Sequence, residues 1–518
     1  MNTTRRQFTL GLLATGLAAS TTATHSAPTA EPAQERTLDF NPERYTRLDI
    51  AVNGQTLAVR AYEALPTVTR PVEPEYQTLN LYIPEAYFKG ERVGRYSAQT
   101  APIFLPNQVG GYMPAKPGTP AGRMGPPPGM RPPPGAAPGM PDGGGAPSAI
   151  ALALSRGYVV ASPGARGRTL RAADGTWTGK APAAIVDLKA AVRWLRHNAG
   201  RLPGNTERII SNGTSAGGAL SALLGASGNH TDFERELQAL GAAHQRDDIF
   251  AVSAYCPITN LEHADSAYEW QFAGITEYRN VAITMLDFKV ERKETVAQLD
   301  AAQQALSGEL RTAFVSYVNS LSLHDPQGKL LRLQADGTGT LRDHIKSLLI
   351  ASAQNALNGG SNLTQRKGLR IESNKVIDLD FDAHVQTMGR MKGLPAFDGF
   401  ALETGENQLF GTTQIDKRHF TDFAQKHGSV TGAAKADAVT VRKMNAMHYA
   451  QDSTAQPARH WRIRHGTMDR DTSLAVPTLL AAALRERKLD VDLALPWDRP
   501  HSGDYDLEEL FNWIEQRT

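Results

Sequence analysis

A single cysteine, Cys256, stands among 518 residues, so no intrachain disulfide can form, and no Cys/His cluster carries zinc-site spacing. Stability has to come from packing. Charge of one sign is equally absent: 55 basic against 53 acidic side chains leave a formal charge of +2, without the basic excess of nucleic-acid binders. Nucleic acid is therefore excluded as a partner. No stretch reaches the roughly 20 consecutive apolar residues that a bilayer span requires. What is present is ordinary globular composition, 41% hydrophobic and 21% charged, which rules out a disordered chain. The length allows about three average domains, or one large α/β domain with an insertion.

The chain opens with Thr4-Arg5-Arg6-Gln7-Phe8-Thr9-Leu10 and a short apolar run to Ala19. A paired arginine ahead of such a run reads as a twin-arginine export signal over residues 1–27, removed by cleavage. Export by the twin-arginine machinery would make the mature protein periplasmic or secreted, bacterial, and without a membrane anchor. That route often carries proteins with inserted cofactors, yet the sequence holds no cofactor or metal motif, so none is expected. The segment Pro114–Pro147 is about three-fifths Pro plus Gly. It offers few side chains to bury and reads as a disordered insertion in a pattern that continues on both sides.

That pattern is strand alternating with helix. Strands are expected at Ile103–Leu105, Tyr158–Ala161, Arg208–Ser211 and Ile249–Ala254, with helices at Ile150–Arg156, after Pro182, and from near Ala219. From about Thr259 to Pro457 longer helical stretches, such as Val296–Leu321 and Leu341–Leu357, look like an inserted lid. The alternation resumes over 458–518, where Leu507, Leu510, Phe511 and Ile514 form one apolar stripe. The fold class is thus α/β: a mostly parallel sheet flanked by helices, built from residues 38–258 and 458–518, with a large, mainly helical domain at 259–457.

The sharpest local signal is Gly213-Thr214-Ser215-Ala216-Gly217-Gly218, between an expected strand and an expected helix. In that context G-x-S-x-G places Ser215 on a tight turn as a nucleophile, with glycines where side chains would collide. A serine needs a base and an acid that orients it, following later in the order acid, then histidine. Asp469 and His501 fit, each after one of the last two strands. His465 is upstream of the acid and reads as structural, as do His448 and His460. Asp471 and Asp498 compete with Asp469. The developing oxyanion would be met by the N–H of Ala216 and by the loop at Gly110-Gly111.

These residues resemble the bacterial tannases (tannin acylhydrolases, subtype B) of the α/β-hydrolase superfamily, which are related to feruloyl esterases. The resemblance extends into the insertion, at Lys392-Gly393-Leu394-Pro395-Ala396-Phe397-Asp398 and Glu406-Asn407-Gln408-Leu409-Phe410-Gly411. It implies a serine esterase acting on galloyl esters, a small phenolic ester as partner, and Lys392, Glu406 and Asp471 as holders of the ring hydroxyls. A feruloyl esterase or general carboxylesterase is the nearest alternative. A prolyl-oligopeptidase-like peptidase follows, and a catalytically dead phenolic-binding protein is the reading from another class.

Overall fold

The short apolar runs become the strands of a single sheet. The computed structural model describes residues 37–121, 147–286 and 289–518. The expected export signal and most of the Pro/Gly-rich segment lie outside the described residues. In chain order the elements are β1 (Thr46–Val52), β2 (Gln55–Pro66), β3 (Thr78–Pro84), β4 (Pro102–Pro106), α1 (Ala149–Ser155), β5 (Val159–Pro163), α2 (Ala183–His197), β6 (Asn205–Thr214), α3 (Ala216–Ala226), α4 (Glu234–Leu240) and β7 (Ala251–Tyr255). Then come α5 (Leu261–Gln271), β8 (Glu277–Leu286), β9 (Lys289–Gln298), α6 (Ala301–Leu321), α7 (Thr340–Asn358), β10 (Leu369–Glu372), β11 (Lys375–Leu379), α8 (Phe381–Met388), α9 (Gly405–Leu409), α10 (Asp422–His427), α11 (Ala438–Lys443) and α12 (Ala446–Gln451). The chain ends with β12 (His460–Arg464), α13 (Ala475–Glu486), β13 (Asp490–Ala494) and α14 (Leu507–Glu515).

The sheet has nine strands in the order β1-β2-β3-β5-β4-β6-β7-β12-β13. The last six in that order pair in parallel, and β1 to β3 add an antiparallel edge. Every residue of β4, β5 and β7 is buried, as expected of parallel strands covered on both faces. One buried cluster runs from Tyr82, Phe104 and Ile210 of the sheet to Trp270, Phe314, Leu341, Phe381 and Phe397 of the segment between β7 and β12. That segment is therefore fixed on the sheet by apolar packing.

The structure departs from the sequence expectations in several places. The edge strands β1 to β3 were not anticipated. The helix expected from Val296 begins at Ala301, where Asp300 and Gln303 form a capping box; the residues up to Gln298 belong to the β8–β9 hairpin. A second hairpin, β10–β11, also interrupts the helices of this segment. The helix after the Gly-rich turn starts at Ala216 rather than near Ala219. The start of the Pro/Gly-rich segment is ordered against the C-terminal end of β5, inside the sheet. Ala115 exchanges backbone hydrogen bonds with Ala165 at 3.0 and 2.8 Å, and Gly118 N–H donates to Ser162 Oγ at 2.9 Å. Close backbone contact compensates there for the lack of side chains.

Candidate active site

Ser215 lies between β6 and α3 with φ 60° and ψ −124°, a left-handed conformation that a non-glycine residue adopts at a cost of about 1–3 kcal/mol. The surroundings enforce it. A Cβ on Gly217 would stand 2.6 Å from both Asn107 Oδ1 and the Val109 carbonyl, and one on Gly218 would stand 2.5 Å from the Tyr255 carbonyl. The turn is tied from below by Ser215 N–H to Tyr255 O at 3.0 Å. Asn107, at the end of β4, is the staple that sequence reading missed. Its Nδ2 donates to Asn212 O, Gly217 O and Ser221 Oγ at 3.0–3.2 Å, and its Oδ1 accepts from Val109 N–H at 3.2 Å. A buried asparagine directly after a buried strand was the available signal.

Asn107 thereby holds the Gly110-Gly111 loop beside the turn. This loop follows the fourth strand in the chain. Gly110 and Gly111 are exposed, and their N–H groups donate to no backbone carbonyl among the described residues. Ala216, the first residue of α3, has no intrahelical acceptor for its own N–H. The N–H groups of Gly110, Gly111 and Ala216 are thus left without a backbone acceptor among the described residues.

His501 follows β13, and its Nδ1 lies 2.8 Å from Asp469 Oδ2. Asp469 is wholly buried. Burial alone would raise its pKa, but His501, His465 and the N–H of Asp471 (to Oδ1 at 2.9 Å) hold it down at about 2. An ionised Asp469 makes Nδ1 the protonated nitrogen and leaves Nε2 as the basic one. Burial opposes charge on the ring, yet the Asp469 carboxylate keeps His501 well above the usual histidine value. Nε2 faces the sulfur of Cys256 at 3.9 Å, and Ser215 Oγ forms no hydrogen bond with the ring. Such bonds are often long before substrate arrives. Burial pushes the Cys256 thiol up, so it meets the ring as neutral S–H. Cys256 Sγ, an Asp469 oxygen and a His501 nitrogen lie within 4.8 Å of one another, a donor set that could hold a soft cation.

The rival residues are placed elsewhere or farther off. Asp471 Oδ2 is 3.8 Å from His501 Nδ1, and Asp498 pairs with Arg366. His465 is buried 3.7 Å from Asp469, with neither ring nitrogen hydrogen-bonded. His448 pairs with Glu262 and His460 with Asp490.

Lys392 and Glu406 come from the segment between β7 and β12. The buried phenol of Tyr268 accepts from Lys392 N–H at 3.0 Å and donates to Arg470 O at 3.1 Å, which ties Lys392 to the loop of Asp469 and Asp471. A buried pair, Arg390 with Glu269, grips the Lys392 and Gly393 carbonyls. The buried Asp398 carboxylate collects bonds from Asn407, His419, Phe420 and Thr421 at 2.7–2.9 Å and so fixes α9, which carries Glu406. Arg168 donates to Gly111 O at 2.9 Å, and its guanidinium lies against Gly405, which places Glu406 beside the Gly110-Gly111 loop. Lys392 Nζ stands 3.9 Å over the Phe397 ring without a carboxylate partner, and the Glu406 carboxylate acts electrostatically on the Arg168 guanidinium. Tyr268, Asp398 and Arg168 act only through tertiary contacts, which periodicity does not reveal.

The BD-FAE family model matches residues 144–305. No curated protein matches the chain. The tannase of Lactobacillus plantarum is 44% identical over 93% of this chain and 100% of its own, with a TM-score of 0.86. The tannase of Fusobacterium nucleatum is 44% identical over 93% of this chain and 99% of its own, with a TM-score of 0.84. A tannin acyl hydrolase in complex with ethyl gallate is 44% identical over 93% and 98%, with a TM-score of 0.83. With an elbow serine on a parallel sheet and relatives of this identity along nearly its whole length, the chain belongs to the bacterial tannases, feruloyl-esterase-like members of the α/β-hydrolase fold.

Proposed function

We propose that the protein hydrolyses galloyl esters by a Ser215–His501–Asp469 triad through a galloyl-enzyme. Ser215 Oγ attacks the ester carbonyl while His501 Nε2 takes its proton. The oxyanion is met by the N–H groups of Ala216 and of Gly110 or Gly111. Collapse expels the alcohol, protonated by His501, and leaves the galloyl group on Ser215 Oγ. Water, deprotonated by the same nitrogen, then releases gallate and restores the serine. Asp469 fixes the tautomer and stabilises the imidazolium. The relative that holds ethyl gallate and the one that holds 3,4-dihydroxybenzoate support a phenolic acyl group.

What carries the galloyl reading is a lysine without a carboxylate partner, Lys392, and a glutamate, Glu406, on segments that buried clamps tie to the loops of Asp471 and of Gly110-Gly111. Vicinal hydroxyls would offer both donors and acceptors to them, and a ring lacking hydroxyls would leave them unpaired. Initial rates on methyl gallate, methyl ferulate and methyl benzoate test this. Preference for methyl gallate supports the reading, and equal rates on all three reduce the protein to a general esterase. A serine-directed phosphonate should label Ser215, which a dead binding protein would not allow. We further propose that residues 259–457 act as the substrate-binding lid and that Arg5-Arg6 directs export to the periplasm or beyond. No helix among the described residues is long and apolar enough to cross a membrane.

A further inference from the structure

One face of α5 carries Asp265, Tyr268 and Glu269, at i, i+3 and i+4, and all three hold the segment from Arg390 to Asp398. Tyr268 accepts from the N–H groups of Met391 and Lys392 at 3.1 and 3.0 Å, and Glu269 pairs with Arg390. Asp265 takes the far end. Its Oδ1 accepts from Phe397 N–H at 2.7 Å and its Oδ2 from Asp398 N–H at 3.1 Å, and neither oxygen has another hydrogen-bond partner among the described residues. An asparagine would offer one acceptor oxygen and set its NH₂ against the second N–H, so two consecutive peptide donors call for a carboxylate.

The two peptide groups so gripped stand between Lys392 and Glu406. Phe397 is the ring beneath Lys392 Nζ. Its carbonyl accepts from Oγ1 of Thr404, the N-cap of α9, at 2.5 Å, and the Asp398 carboxylate accepts from Asn407 Nδ2 at 2.7 Å. Glu406 lies between these two contacts on α9. Holding the carboxylate there is costly: burial and the neighbouring Asp398 charge push the Asp265 pKa up to about 7. Asp398, paired with His419, and Glu269, paired with Arg390, are the charged groups that act on it. Below that value one oxygen carries a proton and accepts less well, so the grip loosens in acid.

We propose that Asp265 is a positioning residue for ester specificity: by fixing Phe397 and Asp398 it sets where Lys392 Nζ and Glu406 stand, and so the spacing at which ring hydroxyls are met. The inference deepens the galloyl ester reading and rests on it. Asp265 itself is buried and acts through its neighbours.

Steady-state kinetics of the full chain on methyl gallate and phenyl acetate test the proposal. Asp265→Asn should lower kcat/KM on methyl gallate by about tenfold, chiefly through KM, and leave phenyl acetate within about twofold, since that ester has no ring hydroxyls to misplace. Equal loss on both esters, or an unchanged methyl gallate KM, would overturn the assignment. Lys392→Ala measured alongside separates the two readings. If it spares methyl gallate, the galloyl reading itself fails; if it impairs methyl gallate while Asp265→Asn does not, only the positioning role falls. Should Asp265→Asn melt early, the parent protein decides. Its ratio of kcat/KM on methyl gallate to that on phenyl acetate should fall severalfold from about pH 8 to about pH 6, because the titration of His501, common to both esters, cancels in the ratio. A flat ratio refutes the proposal.

Discussion

At the scale of single residues, the proposed chemistry rests on Ser215, His501 and the charge of Asp469. Ser215→Ala and His501→Ala should each lower kcat on methyl gallate by roughly a thousandfold or more, with circular dichroism unchanged. A loss below tenfold for either would remove that residue from the chemistry. The pH dependence follows from the 2.8 Å contact between His501 and Asp469. The imidazole accepts a proton only when neutral, and the carboxylate raises its pKa above the usual histidine value. Activity should therefore fall as pH drops through that raised value, placing the acid limb of kcat/KM above about 6.5. Asp469→Asn should shift the limb downward as well as lowering the rate. A limb that stays in place would assign it to another group. Lys392→Ala should impair methyl gallate far more than phenyl acetate, because only the first substrate has hydroxyls to lose a partner. Equal loss on both would indicate a folding defect.

At the scale of elements, the elbow is held by two strand ends. Gly217→Ala drives a Cβ to 2.6 Å from Asn107 Oδ1 and Val109 O, so either the elbow or the Gly110-Gly111 loop must move. The variant should lose most of its turnover while losing about 1–3 kcal/mol of stability in denaturant titration. Full turnover would show that the loop is not needed at its present position. This also marks what was legible in the sequence. The elbow could be read because strand, tight turn and helix are contiguous, and the glycines record contacts made within a few residues. Asp469 and His501 could be read because each follows a strand with its own apolar pattern. Asn107, Tyr268 and Asp398 could not, since the acceptors of Asn107 Nδ2 lie 105 to 114 residues away, the partners of the Tyr268 hydroxyl 123 to 202, and those of Asp398 up to 133. The β8–β9 hairpin was hidden because its second strand runs almost directly into α6, so that apolar Val296 seemed to belong to the helix.

At the scale of the whole molecule, the Pro/Gly-rich segment interrupts a fold that is otherwise continuous. Its two described ends meet: Ser148 Oγ donates to Pro120 O at 2.8 Å while capping α1 through Ala151 N–H at 3.1 Å. The chain before that junction is engaged by the Ala115–Ala165 pairing and by Asn80 Nδ2 donating to Gly118 O at 3.2 Å. Removing all of residues 114–147 would therefore strip contacts from the end of β5, whereas removing 122–146 and joining the ends with two glycines spans a gap already closed by a hydrogen bond. Because closing a shorter loop costs less chain entropy, the smaller deletion should leave Tm within about 3 °C of the parent or raise it. The larger deletion should lower Tm and weaken activity, because the Gly110-Gly111 loop, proposed to meet the oxyanion, lies just before Pro114 in the chain. Differential scanning fluorimetry of both variants, with methyl gallate turnover, separates the two outcomes. Equal tolerance of both deletions would show that the Ala115–Ala165 contact contributes nothing to holding that loop.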